Sequence, residues 1–313
     1  MAHILTITMN PAIDIATSVE RVHPARKLRC AEARRYPGGG GINVARVMGR
    51  LGSEATALYP VGGYCGQLFQ KLVDQENIRK LAIPIEEATR EDFTVVETST
   101  GNEFRFVSKG PHLREADWRR CLETFAGFRD PIDLLVAGGS LPPGVPEDFY
   151  AWIAEIARGR GVPFALDTSG AALRAALEQG VHLVKPNLRE MRELMGEPLA
   201  NLTSCIEACK RLVASAKANL VALTLGSQGA VLVTKNGAWF APPLLIKAIS
   251  TVGTGDSFLG AMVCGLACGL SEQEAFRQGV AAGSAALLAP GTELCQSADV
   301  QDLLKHVVIK PLA

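Results

Sequence analysis

Residues 250–258 read Ser-Thr-Val-Gly-Thr-Gly-Asp-Ser-Phe, and an apolar run rich in alanine and glycine follows from Phe258. The run predicts a helix. Gly253 and Gly255 have no side chains, so a negatively charged group can approach the backbone closely. Because free N–H groups and the positive end of the helix dipole face such a group, a glycine turn that opens a helix binds anions. The stretch therefore predicts an anion hole.

Asp256 lies inside this anion hole. A carboxylate repels a bound phosphate, so its presence there needs a reason. One reason is general-base catalysis, in which Asp256 takes the proton of an attacking hydroxyl during phosphoryl transfer. The alternative is that Asp256 only caps the helix N-terminus.

The composition narrows the class of protein. The chain has 313 residues, 48% of them hydrophobic, and its 32 basic and 32 acidic residues give a formal net charge of zero. This balance argues against binding to nucleic acid or to a membrane surface. The eight cysteines are scattered without a CxxC pair, which favours buried free thiols over a zinc site. Without a signal-peptide pattern or a membrane-spanning run, we expect a cytoplasmic protein.

Short apolar runs alternate with helical patterns, which predicts βαβ units and a doubly wound, mostly parallel sheet flanked by helices, an α/β fold. We expect one compact domain over residues 1–313. The candidate strands are Ile4–Met9, Thr56–Pro60, Leu134–Ala137, Phe164–Asp167, His182–Lys185 and Val221–Leu225. The candidate helices are Ile42–Leu51, Gly66–Glu76, Glu147–Arg158, Ala171–Gln179, Leu188–Leu194, Ser204–Ala214, Ser257–Cys268 and Glu272–Leu288.

Two segments interrupt this alternation, residues 16–35 and 93–108. Both show extended patterns, and the second contains Gly101-Asn102 between two alternating runs, which indicates a hairpin. These segments predict a small β-sheet that covers the site as a lid.

Residues 37–43 read Pro-Gly-Gly-Gly-Gly-Ile-Asn and precede a predicted helix. Four glycines suit a backbone that a ligand approaches closely, and Asn43 can hydrogen-bond a hydroxyl-rich ligand; a plain loop is the alternative. The run lacks the third glycine of the dinucleotide fingerprint, and no Gly-Lys dipeptide occurs for a Walker A loop.

Other polar residues are weaker candidates when taken singly. Asp14 follows the first strand and suits either sugar hydroxyls or a turn. Lys27, Arg29 and Arg90 lie in or near the lid and could bind a substrate phosphate, although solvated surface is the simpler interpretation.

Two strand ends carry further candidates. Asn187 and Glu190 lie one helical turn apart, which suits Mg²⁺ but equally suits a capping box. Thr224, Gly226 and Gly229 lie in a turn between two apolar strands, which could contact a nucleotide or form a plain hairpin.

Together these stretches resemble the ribokinase-like (PfkB) family of sugar kinases over nearly the whole chain. The matching stretches are Asn10–Asp14, Lys27–Cys30, Pro37–Arg46, Phe104–Val107, Ser140–Gly144, Val184–Asn187 and Thr251–Asp256. Related kinases of fructose 1-phosphate and tagatose 6-phosphate usually carry lysine where this chain has Gly40. The resemblance therefore favours the branch that phosphorylates the 1-hydroxyl of fructose 6-phosphate with ATP, a step of glycolysis, with those two sugar kinases as alternatives.

The resemblance also implies roles for single residues. Asp256 is the base, with Gly253 and Gly255 forming the anion hole. Asp14, Gly39, Asn43 and Ser140 hold the sugar, and Lys27 and Arg90 bind its 6-phosphate. The ATP side consists of Lys185, Asn187, Thr224, Gly226, Gly229, Thr251 and Ser284, and Glu190 organises Mg²⁺.

The resemblance further implies a homodimer formed through the lid, and in several members of the family a K⁺ ion beside the anion hole. Ser250 and Val252 match one half of that K⁺ site; Ala286 and Gly291 belong to the other half, where the expected Asn at 289 and Arg at 293 are Ala and Glu.

Two other classes of function remain open, a non-catalytic sensor of sugar phosphate or nucleotide and a dinucleotide oxidoreductase. The intact Asp256 argues against the first, and the missing glycine fingerprint argues against the second.

Overall fold

Alternate residues of the central strands are buried on opposite faces of one sheet, as expected for parallel strands covered on both sides. Leu134 and Val136 pack into one hydrophobic core, and Leu135 and Ala137 pack into the other. The structure is a computed structural model and describes residues 2–312. None of the helices in that range combines the length and the hydropathy needed to cross a membrane.

The large sheet, within residues 2–312, has ten strands in the order β14-β13-β12-β11-β10-β9-β8-β1-β4-β5. The strands from β11 to β5 in this order pair in parallel, and β12, β13 and β14 continue the sheet in antiparallel pairings. The strand bounds are β1 His3–Ile7, β4 Glu54–Gly62, β5 Arg79–Ile85, β8 Leu134–Gly138, β9 Phe164–Asp167, β10 Val181–Val184, β11 Ala218–Thr224, β12 Ala230–Thr234, β13 Gly237–Ala241 and β14 Lys310–Leu312.

Helices cover both faces of the large sheet. Residues of α1 (Gly40–Arg50), α2 (Gly63–Val73), α8 (Thr254–Ala267), α9 (Glu272–Ala286) and α10 (Ser297–Leu304) pack into one core. Residues of α3 (Glu115–Ala126), α4 (Phe149–Gly159), α5 (Gly170–Gln179), α6 (Leu188–Met195) and α7 (Leu202–Ala214) pack into the other.

The lid is a second sheet of four strands in the described part of the chain, in the order β3-β2-β6-β7. Its strands are β2 (Ala12–Val19), β3 (Arg34–Gly38), β6 (Arg90–Glu97) and β7 (Glu103–Phe106). The hairpin at Gly101 is present, with Val96 opposite Glu103. Ile13 and Ile15 of β2 belong to the same core as α1 and α8, so the lid is anchored by apolar packing.

The predicted α/β fold with a small separate sheet is therefore confirmed. All of the candidate strands and helices are present, β9 with the predicted ends and the others with shifted ends, whereas α3, α10, β5, β13 and β14 were not predicted. Five cysteines are buried, as expected, but Cys30 and Cys268 are exposed.

Candidate active site

A cleft of about 950 Å³ lies between the lid and the loops at the carboxyl ends of the parallel strands. This volume is at the upper end of the range for small-molecule sites, which suits two ligands side by side. Most of the predicted site residues line it: Asp14, Gly39, Asn43, Arg90, Ser140, Lys185, Asn187, Glu190, Thr224, Gly226, Gly229, Thr251, Val252, Gly253, Gly255, Asp256 and Ser284.

The predicted anion hole is the N-terminus of α8. Gly253 precedes the helix with φ at 74°, a left-handed conformation that favours glycine, and no side chain in the described part of the chain caps the helix there. The backbone N–H groups of the first turn therefore face the cleft without a side-chain acceptor. Asp256 is the third residue of the helix, so the interpretation of Asp256 as an N-cap is wrong.

Asp256 accepts a hydrogen bond from Asn43, with 2.8 Å between Nδ2 and Oδ2. Its pKa is raised to about 6, first by burial and then by repulsion from Asp167, against the lowering effects of the Asn43 hydrogen bond, Lys185 and Arg105. A carboxyl with this pKa is mostly ionised at neutral pH and is a stronger base than an exposed aspartate.

Lys185 and Asp167 form an ion pair beside Asp256, with 3.0 Å between Nζ and Oδ2. Burial alone would lower the pKa of Lys185, but attraction from Asp167, Glu190 and Asp256 outweighs it and the net shift is upward. A Cβ on Gly255 would lie 3.2 Å from Lys185 Nζ, so glycine lets this cation lie against the anion hole. Asp167 was not among the predicted site residues, although it is a carboxylate at the end of a predicted parallel strand, where ligands bind in such sheets.

Asp14 lies on the lid side of the cleft. A Cβ on Gly38 would lie 2.3 Å from Asp14 Oδ2, so the glycine run makes room for this carboxylate. The pKa of Asp14 is raised to about 6 by burial and by repulsion from Asp92, partly offset by Thr292, Arg105 and Arg46. Arg105 lines the cleft as well; the sequence analysis quoted it only within a family motif.

Arg90 begins β6 and is held firmly. It pairs with Asp92 at 3.0 Å and donates to the carbonyls of Ser108 at 2.7 Å and Asn10 at 3.1 Å. Its buried Nε has no partner among residues 2–312. A buried donor left without an acceptor costs free energy, which the contacts of the other guanidinium nitrogens to Asp92, Ser108 and Asn10 offset.

The glycine run was predicted to let a ligand approach, but its glycines also allow close packing within the protein. A Cβ on Gly40 would lie 2.7 Å from backbone atoms of Gly138 and Gly139, and one on Gly41 would lie 2.7 Å from the Ile7 carbonyl. The run is thus needed where α1 begins against the ends of β1 and β8, in addition to any contact with a ligand.

Asn187 and Glu190 form the capping box that was the alternative interpretation, with reciprocal hydrogen bonds of 3.0 Å. Both residues nevertheless line the cleft. Within residues 2–312, no group of three or more His, Cys, Asp or Glu side chains could hold a metal ion on its own. A Mg²⁺ ion here would need phosphate oxygens and water as further ligands, which is its usual arrangement with nucleotides.

The turn after β11 contains a short 3₁₀ helix, Gly226–Gln228, and joins two antiparallel strands. The hairpin interpretation is therefore right, and the turn also lines the cleft. The neighbouring stretch Pro242–Ile246 also lines the cleft and was not predicted to do so. It has no regular secondary structure.

The structure does not bring every candidate into the cleft. Lys27 and Arg29 are exposed on the loop between β2 and β3, outside the cleft lining described for this chain. Ser250, Ala286 and Gly291 are buried beside the cleft. Ser250 and Thr251 donate to Glu103 of the lid at 2.6 and 3.2 Å, a contact that the sequence analysis missed.

Comparison with known proteins agrees with this geometry. Residues 6–299 match the model of the pfkB family carbohydrate kinases. The ATP-dependent 6-phosphofructokinase isozyme 2 of Mycobacterium tuberculosis is 43% identical over 298 residues, which cover 95% of this chain and 88% of that protein. The 1-phosphofructokinase of Bacillus subtilis is 33% identical over 309 residues, 99% of this chain and 100% of that protein.

Two crystal structures of phosphofructokinase-2 from Escherichia coli superpose closely. The complex with fructose-6-phosphate has a TM-score of 0.92 at 37% identity, and the complex with potassium has a TM-score of 0.93 at 39% identity. Each match covers 98% of this chain and 99% of the other chain. The chain belongs to the pfkB family of carbohydrate kinases.

Proposed function

We propose that this chain is an ATP-dependent 6-phosphofructokinase that converts fructose 6-phosphate to fructose 1,6-bisphosphate. The observation that carries the proposal is the Asp256 carboxylate, held by Asn43 at the open N-terminus of α8 in a cleft large enough for two ligands. Because both substrates are supplied inside the cell, the proposal includes a cytoplasmic location, which cell fractionation would test.

In the proposed reaction the 1-hydroxyl oxygen attacks the γ-phosphorus of ATP. The bond from that phosphorus to the bridging oxygen breaks, ADP leaves, and Asp256 takes the hydroxyl proton. The N–H groups around Gly253 and Gly255 stabilise charge on the transferring phosphoryl group, and Lys185 adds a nearby cation. The lid excludes water, which limits hydrolysis of ATP.

The ATP side of the cleft consists of Lys185, Asn187, Thr224, Gly226, Gly229, Thr251 and Ser284. Glu190 would hold Mg²⁺, directly or through water, since this residue lines the cleft. Bound Mg²⁺ neutralises phosphate charge during transfer.

The sugar side consists of Asp14, Gly39, Asn43 and Ser140. Arg90 lines this side of the cleft and would bind the 6-phosphate through its guanidinium. Lys27 lies on an exposed loop and would reach a phosphate only after that loop moves or from another copy of the chain.

The identity of the sugar is tested by ADP release from Mg-ATP with fructose 6-phosphate, fructose 1-phosphate, tagatose 6-phosphate and free fructose. We expect a clear preference for fructose 6-phosphate, in line with 43% identity to a 6-phosphofructokinase against 33% to a 1-phosphofructokinase. Preference for another sugar phosphate would keep the mechanism and replace the substrate, whereas no turnover would favour a sensor.

Asp256→Asn should lower kcat by at least about 10²-fold, the usual contribution of a general base, while fructose 6-phosphate still binds. Steady-state kinetics and calorimetric binding measure the two effects. Asp299→Asn is the matched control, because Asp299 is also acidic and lies in the first turn of a helix, α10. A loss below tenfold would remove Asp256 from the role of base.

The pH profile checks the same role. A base works only when deprotonated, so kcat/KM of the wild type should fall as the pH drops through about 6, the pKa of Asp256. The pKa of Asp14 is also about 6 and the substrate phosphate loses its second proton in the same range, so Asp256→Asn should lose only the part of the acid limb due to Asp256. An unchanged acid limb in the variant would contradict the assignment.

Arg90→Ala should raise KM for fructose 6-phosphate by about 10–100-fold, the equivalent of a charge-assisted hydrogen bond, and leave KM for ATP within about twofold. Arg79→Ala is the control, because Arg79 pairs with Asp130 on the exposed surface. Equal effects of the two substitutions would refute the phosphate contact.

We propose a K⁺ site beside the anion hole. Ile249 N donates to Leu287 O at 2.7 Å, which brings the segment before Ser250 next to the segment that follows α9. The carbonyls of Ser250 and Val252 would supply one half of the ligands, and those of Ala286 and Gly291 would supply the other. We expect faster turnover in potassium buffer than in sodium buffer at equal ionic strength. Equal rates in the two buffers would contradict the K⁺ site.

We also propose a homodimer through the lid. Phe93 and Phe106 are 43% and 59% exposed, lie opposite each other on β6 and β7, and adjoin the exposed Val107. Contiguous apolar surface of this kind is typical of an interface.

Phe106→Glu should convert the dimer to monomer, because it places a charge in that apolar surface. Light scattering after size exclusion gives the mass. Val308→Glu is the control, since Val308 is 56% exposed and lies outside the lid. A wild-type monomer would refute the proposal directly.

A further inference from the structure

Arg46 lies in the middle of α1 and is 1% exposed. Arginine is almost never buried so fully unless it is paired, because removing its charge from water is costly. None of the proposed steps uses Arg46, so its position calls for another explanation.

The guanidinium of Arg46 donates hydrogen bonds to four residues. Its Nε donates to Glu76 Oε1 at 2.7 Å. Its Nη1 donates to the carbonyls of Pro37 and Thr292, both at 3.0 Å, and to Asn43 Oδ1 at 3.2 Å. Pro37 belongs to the lid, Glu76 follows α2, and Thr292 lines the cleft. Nη1 has two hydrogens for these three oxygens, so at least one hydrogen is shared between two acceptors, while Nε serves Glu76; the planar guanidinium holds these donors in fixed directions.

The contact with Asn43 determines which way its side-chain amide points. The amide oxygen accepts from Arg46, so the NH₂ group is the part that faces Asp256, where Nδ2 donates at 2.8 Å. In the reversed orientation, the NH₂ group would face a guanidinium and the oxygen would face a carboxylate. Both contacts would then be repulsive.

We propose that Arg46 is a positioning residue, which acts through Asn43 to aim Asp256 at the sugar hydroxyl. Glu76 holds Arg46 from the other side, so the order of contacts is Glu76, Arg46, Asn43, Asp256. The inference rests on the proposed function, because it takes Asp256 as the base.

Arg46→Lys tests the inference. Lysine keeps the positive charge but lacks the fork, so it cannot hold Glu76, Asn43 and the two carbonyls together. Since misplacement of a reacting group by about 1 Å can cost 10²-fold, we expect kcat to fall by about 10–100-fold. KM for Mg-ATP should stay within about twofold, because Asn43 belongs to the sugar side of the cleft and the ATP side is unchanged.

Arg50→Lys is the matched control. Arg50 lies one turn further along α1, contacts the carbonyls of Glu293 and Cys295 and reaches Glu76 at 3.4 Å. Within the described residues it forms no hydrogen bond with Asn43. We expect its kcat to stay within about twofold of the wild type, as is usual for a change away from the reacting groups.

A double-mutant cycle separates positioning from general stability. If Arg46 acts through Asn43, Arg46→Lys should lower kcat in the wild type and have little further effect in Asn43→Ala. A purely structural role would lower kcat by the same factor in both backgrounds. Thermal melting of all variants shows which are folded. If Arg46→Lys does not fold, the same cycle is run with Glu76→Gln, for which we expect a loss of about threefold that is absent in Asn43→Ala.

The outcomes distinguish the inference from the proposed function. A wild type that turns over none of the sugar phosphates refutes the function before any variant is measured. An active wild type with Arg46→Lys equal to Arg50→Lys, or with additive losses in the cycle, overturns the role of Arg46 and leaves the function standing.

Discussion

The hydrogen bond between Asn43 and Asp256 joins the start of α1 to the start of α8, and the whole site depends on how closely these helices lie. Their packing is tight because α8 carries small residues where it meets α1. A Cβ on Gly260 would lie 2.9 Å from Val47 Cβ and 3.2 Å from the Val44 carbonyl. Larger side chains there would separate the helices and with them the two polar groups. The Ala/Gly-rich composition of α8 is therefore a requirement of the site as well as of the core.

The cleft contains both acidic side chains with raised pKa values and basic side chains close to them. Asp14 and Asp256 have raised pKa values because burial and neighbouring carboxylates disfavour their charged forms. Lys185 and Arg90 are cations held beside them. Two phosphorylated ligands would add negative charge, which the cations and the N-terminus of α8 can stabilise. Ser250 donates to Glu103, so the segment that leads into the anion hole is hydrogen-bonded to the lid.

Most of the fold was predictable because strands buried on both faces read as continuous apolar runs, which is how β8 and β9 were found with nearly correct ends. The elements that were missed lack this signal. β5 lies at an edge and contains Pro84, and α3 buries Trp118 and Phe125 on one face of a largely charged segment. The stretch Pro242–Ile246 has no regular spacing of apolar residues, so only its position in the structure shows that it lines the cleft.

The local chemistry can be predicted from residue order: a glycine turn opens a helix, Asp256 lies within it, and polar residues follow the strand ends. Those features are set by neighbours along the chain, so residue type and spacing suffice to find them. The folded chain is needed to show that Asn43 bonds Asp256, that burial and then repulsion from Asp167 raise the pKa of Asp256, and that Arg46 contacts Asn43. Asn43 and Asp167 lie far from Asp256 in the chain. Arg46 is only three residues from Asn43 on α1, but the contacts that bury it, to Glu76 and Thr292, come from distant segments. Burial and Coulomb forces depend on distance in space. For that reason the roles of Asp167 and Arg46 could not be predicted from the sequence and became clear only from the packing of the strands and helices.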